Sequence, residues 1–161
     1  MADLTVAVGD HSLVVRVGAV VMSERRTLLC GPADGGFWYL PGGRVKSGES
    51  LVDAVQREMT EELTCGFEVV RALASSENFF VMNGIRFQEL GTYFLVRLIG
   101  EESSVPSREG SEIRRWFDVE KATGMRIKPD FARELIAGRN EPFRLISNRD
   151  GEGPRDIRIT L

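Results

Sequence analysis

WYLPGGRVKSGESLVDAVQREMTEELTCG, residues 38–66, decides the fold of this chain. Phe37 to Leu40 reads as a short aromatic strand, stopped by Pro41-Gly42-Gly43. Residues 44–50 are a polar loop that ends on Ser50, a residue type suited to an N-cap. Leu51, Val55, Met59 and Leu63 then recur at i+4, with Val52 beside them, which predicts an amphipathic helix. Gly66 follows as its stop signal.

Glu58, Glu61 and Glu62 stand at i, i+3 and i+4 of that helix, so their side chains share one face within a turn. That face borders the apolar stripe. Carboxylates at about 4 Å repel by roughly 4 kcal/mol at an effective dielectric near 20, and a divalent cation among them removes the repulsion. All-oxygen ligation suits Mg²⁺, Mn²⁺ or Ca²⁺ rather than zinc. Three glutamates alone also suit a solvated acidic face, helped by Arg57. The glycines ahead of the helix allow backbone to approach a ligand closely.

The spacing is more specific than the cluster. Gly43, five residues, Glu49, seven residues, Arg57-Glu58-Met59, one residue and Glu61-Glu62 form one long pattern. It resembles the Nudix box, G-x5-E-x7-R-E-U-x-E-E-x-G-U, where U is a bulky aliphatic residue. Every box position from Gly43 through Glu62 matches. Thr64 and Cys65 stand where the box has Gly and an aliphatic residue, and Gly66-Phe67 follow as though two residues were inserted. A slightly longer last helical turn is expected there.

The resemblance implies an α/β/α sandwich with a mixed β-sheet. It implies a Mg²⁺- or Mn²⁺-dependent hydrolase that cleaves a phosphoanhydride of a nucleoside diphosphate linked to another moiety. The metal would lower the pKa of an attacking water. Glu58 and Glu62 would be the main metal ligands, with Glu61 close by or ligating through water, and the Gly42 carbonyl adding a ligand. Arg57 would orient Glu58, and Glu49 would brace the loop against the helix.

Outside the box, Arg16 and Arg44 are candidates for phosphate contacts, and Trp38 and Tyr39 for stacking on a base. Each has an ordinary alternative as a surface arginine or a packed aromatic. Glu89 on a strand, and Glu109 and Glu112 in a loop, are candidates for a further ligand or base, and the sequence does not choose among them. Trp116 reads as core. His11 is assigned no role.

Working outward, Ser12–Met22 and Thr27–Cys30 read as strands. Phe67–Ala74 is a strand, a polar break follows at Ser75-Ser76-Glu77-Asn78, and a hairpin then turns at Asn83-Gly84. Residues 100–112 are a polar loop, Arg114–Phe117 a strand, DVEKATGM a short helix, and Pro129–Ala137 a helix closed by Gly138. FRLIS and IRITL, around RDGEGP, suggest a C-terminal hairpin. A core of about residues 11–138 with a 139–161 extension makes a single domain.

The chain has 161 residues, 42% hydrophobic and 28% charged, which suits one globular core and excludes a disordered or collagen-like chain. Its net charge of −3 advertises no nucleic-acid partner. Cys30, Cys65 and the single His11 do not supply a four-ligand zinc site, and the two cysteines read as reduced thiols of a cytoplasmic protein. No run is long enough to span a membrane, and no basic-then-apolar leader opens the chain. The expected partner is a small nucleotide, with a homodimer left open. A nucleotide-sensing domain that binds without cleaving is the alternative, as is, more distantly, an isomerase on the same fold.

Overall fold

A computed structural model describes residues 1–101 and 112–157 and the backbone of 108–109. Its centre is β2 (His11–Ser23), a Val-rich strand that parallel β7 (Ile85–Ile99) flanks from His11 to Met22. Hydrophobic side chains on both of its faces suit a strand covered on both sides. Antiparallel β1 (Thr5–Val8), β3 (Arg26–Pro32) and β5 (Gly42–Arg44) also pair with β2. β6 (Gly66–Met82) hairpins onto β7 through Asn83 and Gly84, whose φ values of 52° and 76° suit a type I′ turn.

Beyond β3, β4 (Trp38–Tyr39) carries parallel β10 (Ile127–Lys128), while β9 (Glu112–Asp118) pairs with β3 and with β8 (Arg108–Glu109). At the other end β11 (Arg144–Arg149) joins β6 in parallel, and β12 (Gly153–Asp156) closes the sheet. The result is one mixed, curled sheet.

Strand alternation sorts the core into two clusters. Val17, Ala19 and Val21 of β2 pack with Ala54, Val55 and Met59 of α1 (Leu51–Glu62). Val20 and Met22 point the other way. They join Ala122 of α2 (Val119–Thr123) and Ala132, Leu135 and Ile136 of α3 (Ala132–Ala137), with Phe131 between. Helices on both faces make the expected α/β/α sandwich.

Ser50 caps α1 through a capping box with Asp53, as its position predicts. The helix ends at Glu62, however, and Leu63 is already extended. No longer last turn accommodates Thr64 and Cys65; they bridge to β6, which Gly66 opens. Three further boundaries differ from the sequence reading. β6 runs unbroken through Ser75–Asn78, because the buried Ser76 and Asn78 take sheet positions rather than a turn. Glu112 opens β9 instead of lying in a loop, since it pairs with Pro32. α3 begins at Ala132, three residues after Pro129. The C-terminal hairpin is present, but its second strand is GPRD, ahead of IRITL; residues 158–161 lie outside the described residues.

At Gly42 the chain must be glycine. Its φ is 138°, and a Cβ there would run into the Val17 carbonyl oxygen and lie 2.8 Å from the Gly18 Cα. Gly48 has φ 84° with open space around it. Gly42→Ala should therefore destabilise by more than about 2 kcal/mol, and Gly48→Ala by about 1 kcal/mol. Urea unfolding of the two variants reads the difference; equal losses would contradict the close β5–β2 approach.

Candidate active site

Arg57 ties the loop to the helix. Its Nε and Nη2 donate to the two oxygens of Glu49, each at 2.9 Å. Nη1 reaches Glu58 Oε1 at 2.6 Å, and Nη2 also donates to the Arg44 carbonyl at 3.0 Å. The Lys46 N–H adds a 2.6 Å bond to Glu49. These bonds hold the Glu49 carboxyl down at about 2, the Arg57 guanidinium first and the Lys46 amide second. Arg57 itself is pushed above its usual range, mainly by Glu49. Planar fork geometry explains why Arg rather than Lys stands here.

The three helix glutamates are not equivalent. A Cβ on Gly43 would overlap the Glu58 carboxylate, so Glu58 stands directly against β5. Glu61 is 57% exposed and only 3.6 Å from Arg57 Nη1. Glu62 turns inward: its Oε1 accepts the Gly42 N–H at 3.4 Å, while its Oε2 is buried with no hydrogen-bond partner. Burial pushes the Glu62 carboxyl up to about 7, the Arg114 charge and the Gly42 amide oppose this, and the Glu112 and Glu58 charges add to it. Nearby, the Tyr39 hydroxyl donates to Glu112 at 2.5 Å, and Arg114 pairs with Glu112 at 3.3 Å.

An orphaned carboxylate oxygen beside a second carboxylate suits a hard divalent cation, and every donor is oxygen. Among the described residues no three such groups already converge at coordination distance.

Gly43 also borders a cavity of about 610 Å³ on the other side of β5. Arg16 and Arg44 stand at this end, where β2 and β5 bring them into register. Phe80 and Phe87 stack at 5.1 Å farther along the wall. Arg16 pairs with Glu89 at 3.6 Å, and Arg44 with Asp3 at 3.5 Å. Glu89 thus faces the cavity, on the side away from the helix glutamates. Tyr39 lines the cavity too, but Trp38 packs edge-on against Phe117 at 4.7 Å, in the core. Glu112 sits beside Glu62; the Glu109 side chain lies outside the described residues. His11 pairs with Asp10 at 2.7 Å.

Sequence reasoning missed Arg114, Asn78 and Asn148. Asn78 was hidden by its polar neighbours, which imitate a turn. Asn148 is buried near the end of β11 between Ser147 and Arg149, and no local sequence signal sets it apart from them.

The NUDIX domain family model matches residues 12–137. The chain belongs to this family. Nudix hydrolase 10 of Arabidopsis thaliana is 32% identical over 137 residues, covering 81% of this chain and 43% of that protein. The chain spans less than half the length of the curated relatives it matches. Among solved structures, a MutT protein from Bacillus halodurans aligns with a TM-score of 0.66 and 16% identity over 89% of this chain and 97% of that one. An ADP-ribose pyrophosphatase from Streptococcus suis aligns at 0.58 and 18%, over 85% of this chain and 98% of that one. These two likenesses show the fold. Among the described residues no helix is long and apolar enough to cross a membrane.

The lowered Glu49 carboxyl has a consequence for acid stability. A depressed carboxyl contributes stability above its unfolded value, near 4.5, and loses it as pH falls toward about 2. Glu49→Gln should remove this part of the pH dependence between 4.5 and 2 while leaving the slope above pH 6 unchanged. Denaturant midpoints across that range check it; parallel curves would mean the Arg57–Glu49 bonds carry no weight.

Proposed function

We propose that this Nudix enzyme hydrolyses a phosphoanhydride bond in a nucleoside diphosphate linked to a further moiety, with Mg²⁺ or Mn²⁺. The observation that carries the reading is the abutment at Gly43. On one side stands a glutamate set with an unpartnered buried oxygen, on the other a cavity whose near end is arginine and whose far end is aromatic. A charged, metal-loving end joined to an apolar one suits a molecule that is pyrophosphate at one end and heterocycle at the other.

Glu58 and Glu62 would hold the cation, with Glu61 and the Gly42 carbonyl completing the set. When bound, the cation supplies charge neutralisation on the pyrophosphate and acidifies water. The residues supply the rest. Arg57 fixes the Glu58 rotamer through its 2.6 Å bond. Glu49, held by the other prongs of the same guanidinium, locks the loop that carries Gly42 and Gly43. Arg16 and Arg44 bind phosphate oxygens from the cavity side. Catalysis by such a set is positioning and charge neutralisation, because the leaving group is itself a phosphate.

A panel of nucleoside triphosphates, nucleotide sugars, dinucleoside polyphosphates and ADP-ribose, assayed with Mg²⁺ and Mn²⁺ for released phosphate or pyrophosphate, tests the reaction class. Turnover that survives exhaustive EDTA dialysis would refute the metal-dependent mechanism. Glu58→Gln keeps volume and the Arg57 hydrogen bond but removes a ligand charge. It should lower kcat by roughly 10²–10⁴ and leave metal-free melting nearly unchanged. Glu120→Gln, on a fully exposed pair with Arg25, is the neutral control. Full activity of Glu58→Gln at saturating Mg²⁺ would overturn Glu58's role.

A further inference from the structure

A polar ladder crosses the floor of the cavity. Asn148 on β11 stands in register with Asn78 on β6, and Asn78 with Glu89 on β7. Asn148 Nδ2 donates to Asn78 Oδ1 at 2.7 Å, and Asn78 Nδ2 to Glu89 Oε1 at 3.5 Å. Glu89 Oε2 meets Arg16 Nη1 at 3.6 Å on β2. Four adjacent strands thus each contribute one polar side chain to a single row.

All three residues from Asn148 to Glu89 are buried, at 4%, 6% and 6% exposure. The row is costly. Burying amides and a carboxylate in a sheet is less favourable than burying Val or Leu there, even with the bonds made. The bonds are also incomplete: Asn148 Oδ1 and Arg16 Nε have no hydrogen-bond partner. A buried acceptor left unpaired bears the full desolvation penalty of its group. Both residues line the cavity, so a ligand there is the available partner. Above the row stand the stacked rings of Phe80 and Phe87, which give a flat apolar contact for a planar group.

We propose that this ladder is a nucleobase subsite in which the Asn148 side-chain oxygen accepts an N–H from the hydrogen-bonding edge of the base, making Asn148 the residue that sets base specificity. The Asn78 and Glu89 bonds fix the amide orientation, presenting oxygen and not nitrogen. Phe80 and Phe87 contact the face of the ring. This rests on the proposed reading that a nucleotide occupies the cavity, and it adds which part of the nucleotide meets which residue.

The test uses nucleoside 5′-monophosphates, which contain no phosphoanhydride, with Mg²⁺ present and binding read by calorimetry. AMP and GMP are each compared with purine riboside 5′-monophosphate, and CMP and UMP with 2-pyrimidinone riboside 5′-monophosphate. The analogues keep ring, sugar and phosphate but lack the edge N–H. In the wild-type protein at least one natural nucleotide should bind about tenfold or more tighter than its analogue, because a site built for a hydrogen bond rejects a ligand that leaves it unpaired. Asn148→Ala, and the similarly sized Asn148→Leu, should shrink that ratio to about threefold or less. Phe80→Leu should weaken both members of a pair alike and leave the ratio unchanged.

No preference in the wild-type protein, no binding of any natural monophosphate at millimolar concentration, or an undiminished ratio in a folded Asn148 variant would overturn the proposal. The ligand pairs test it on the wild-type protein even if both Asn148 variants fail to fold. A chain that discriminates here but cleaves nothing in the nucleotide panel keeps the subsite and loses the reaction. A chain that cleaves without discriminating does the reverse.

Discussion

One guanidinium holds the site together. Arg57 spends its fork on Glu49, its remaining prong on Glu58, and a further bond on the Arg44 carbonyl. Those partners come from the loop, the helix and β5. Remove the arginine and Glu49 and Glu58 become two carboxylates without the guanidinium that both of them bond. A lysine would satisfy one of them as a point charge and could not grip both oxygens of Glu49 in one plane. The box spacing therefore has a mechanical meaning. Seven residues between Glu49 and Arg57 are Ser50 plus a little under two helical turns, which brings the arginine back over the loop that precedes the helix.

The second constraint is close approach. β5 lies against β2 through Gly42 and Gly43, and the room that a Cβ would fill is taken by the Val17 carbonyl at the first and by the Glu58 carboxylate at the second. At Gly43 the strand thus meets the helix face with only the Glu58 side chain between them. The same closeness buries Glu62 and strips one of its oxygens of any partner. A fold selected for stability alone would place Leu or Gln there. The destabilising carboxylate sits instead against the backbone of Gly42, whose N–H it accepts.

How much of this the sequence carries depends on whether the interaction is local. The cap at Ser50, the apolar stripe of α1 and the turn at Asn83-Gly84 are written in consecutive residues, and the structure has all three. Box spacing is local too, which is why the grouping of Glu49, Arg57 and Glu58 was legible. Ser75–Asn78 misled because polar residues in succession signal a turn when their partners are unknown. The partners of Asn78 are Glu89 on the next strand and Asn148, 70 residues away. Trp38 and Tyr39 are adjacent and chemically alike as sequence. Period-two alternation sends one into the core against Phe117 and the other to the cavity wall, and only the pairing of β4 with β3 and β10 decides which. The end of α1 misled for the opposite reason. Thr64 and Cys65 looked like an extension of the helix, yet the antiparallel pairing of Gly66 with Ile99 claims the chain first.

This division of the site has a physical consequence. The helix side is assembled from residues within twenty positions of one another, so its geometry is set by one loop and one helix. The cavity floor is assembled across β2, β7, β6 and β11, so its geometry depends on sheet register over most of the chain. A one-residue slip of β11 against β6 would move Asn148 to the opposite face and bring Ser147 or Arg149 opposite Asn78. What pins that register is the β11–β12 hairpin, Ile146 in the core, and Arg149 over the Phe79 ring at 3.8 Å. On the proposed reading the glutamates perform one reaction on whatever pyrophosphate reaches them. The choice of molecule is made elsewhere, by a strand that can change its side chains without disturbing the box. Substituting the cavity floor should therefore alter which nucleotide binds while the Arg57 fork stays intact, because the two share no side chain other than through the backbone of Gly43 and Arg44.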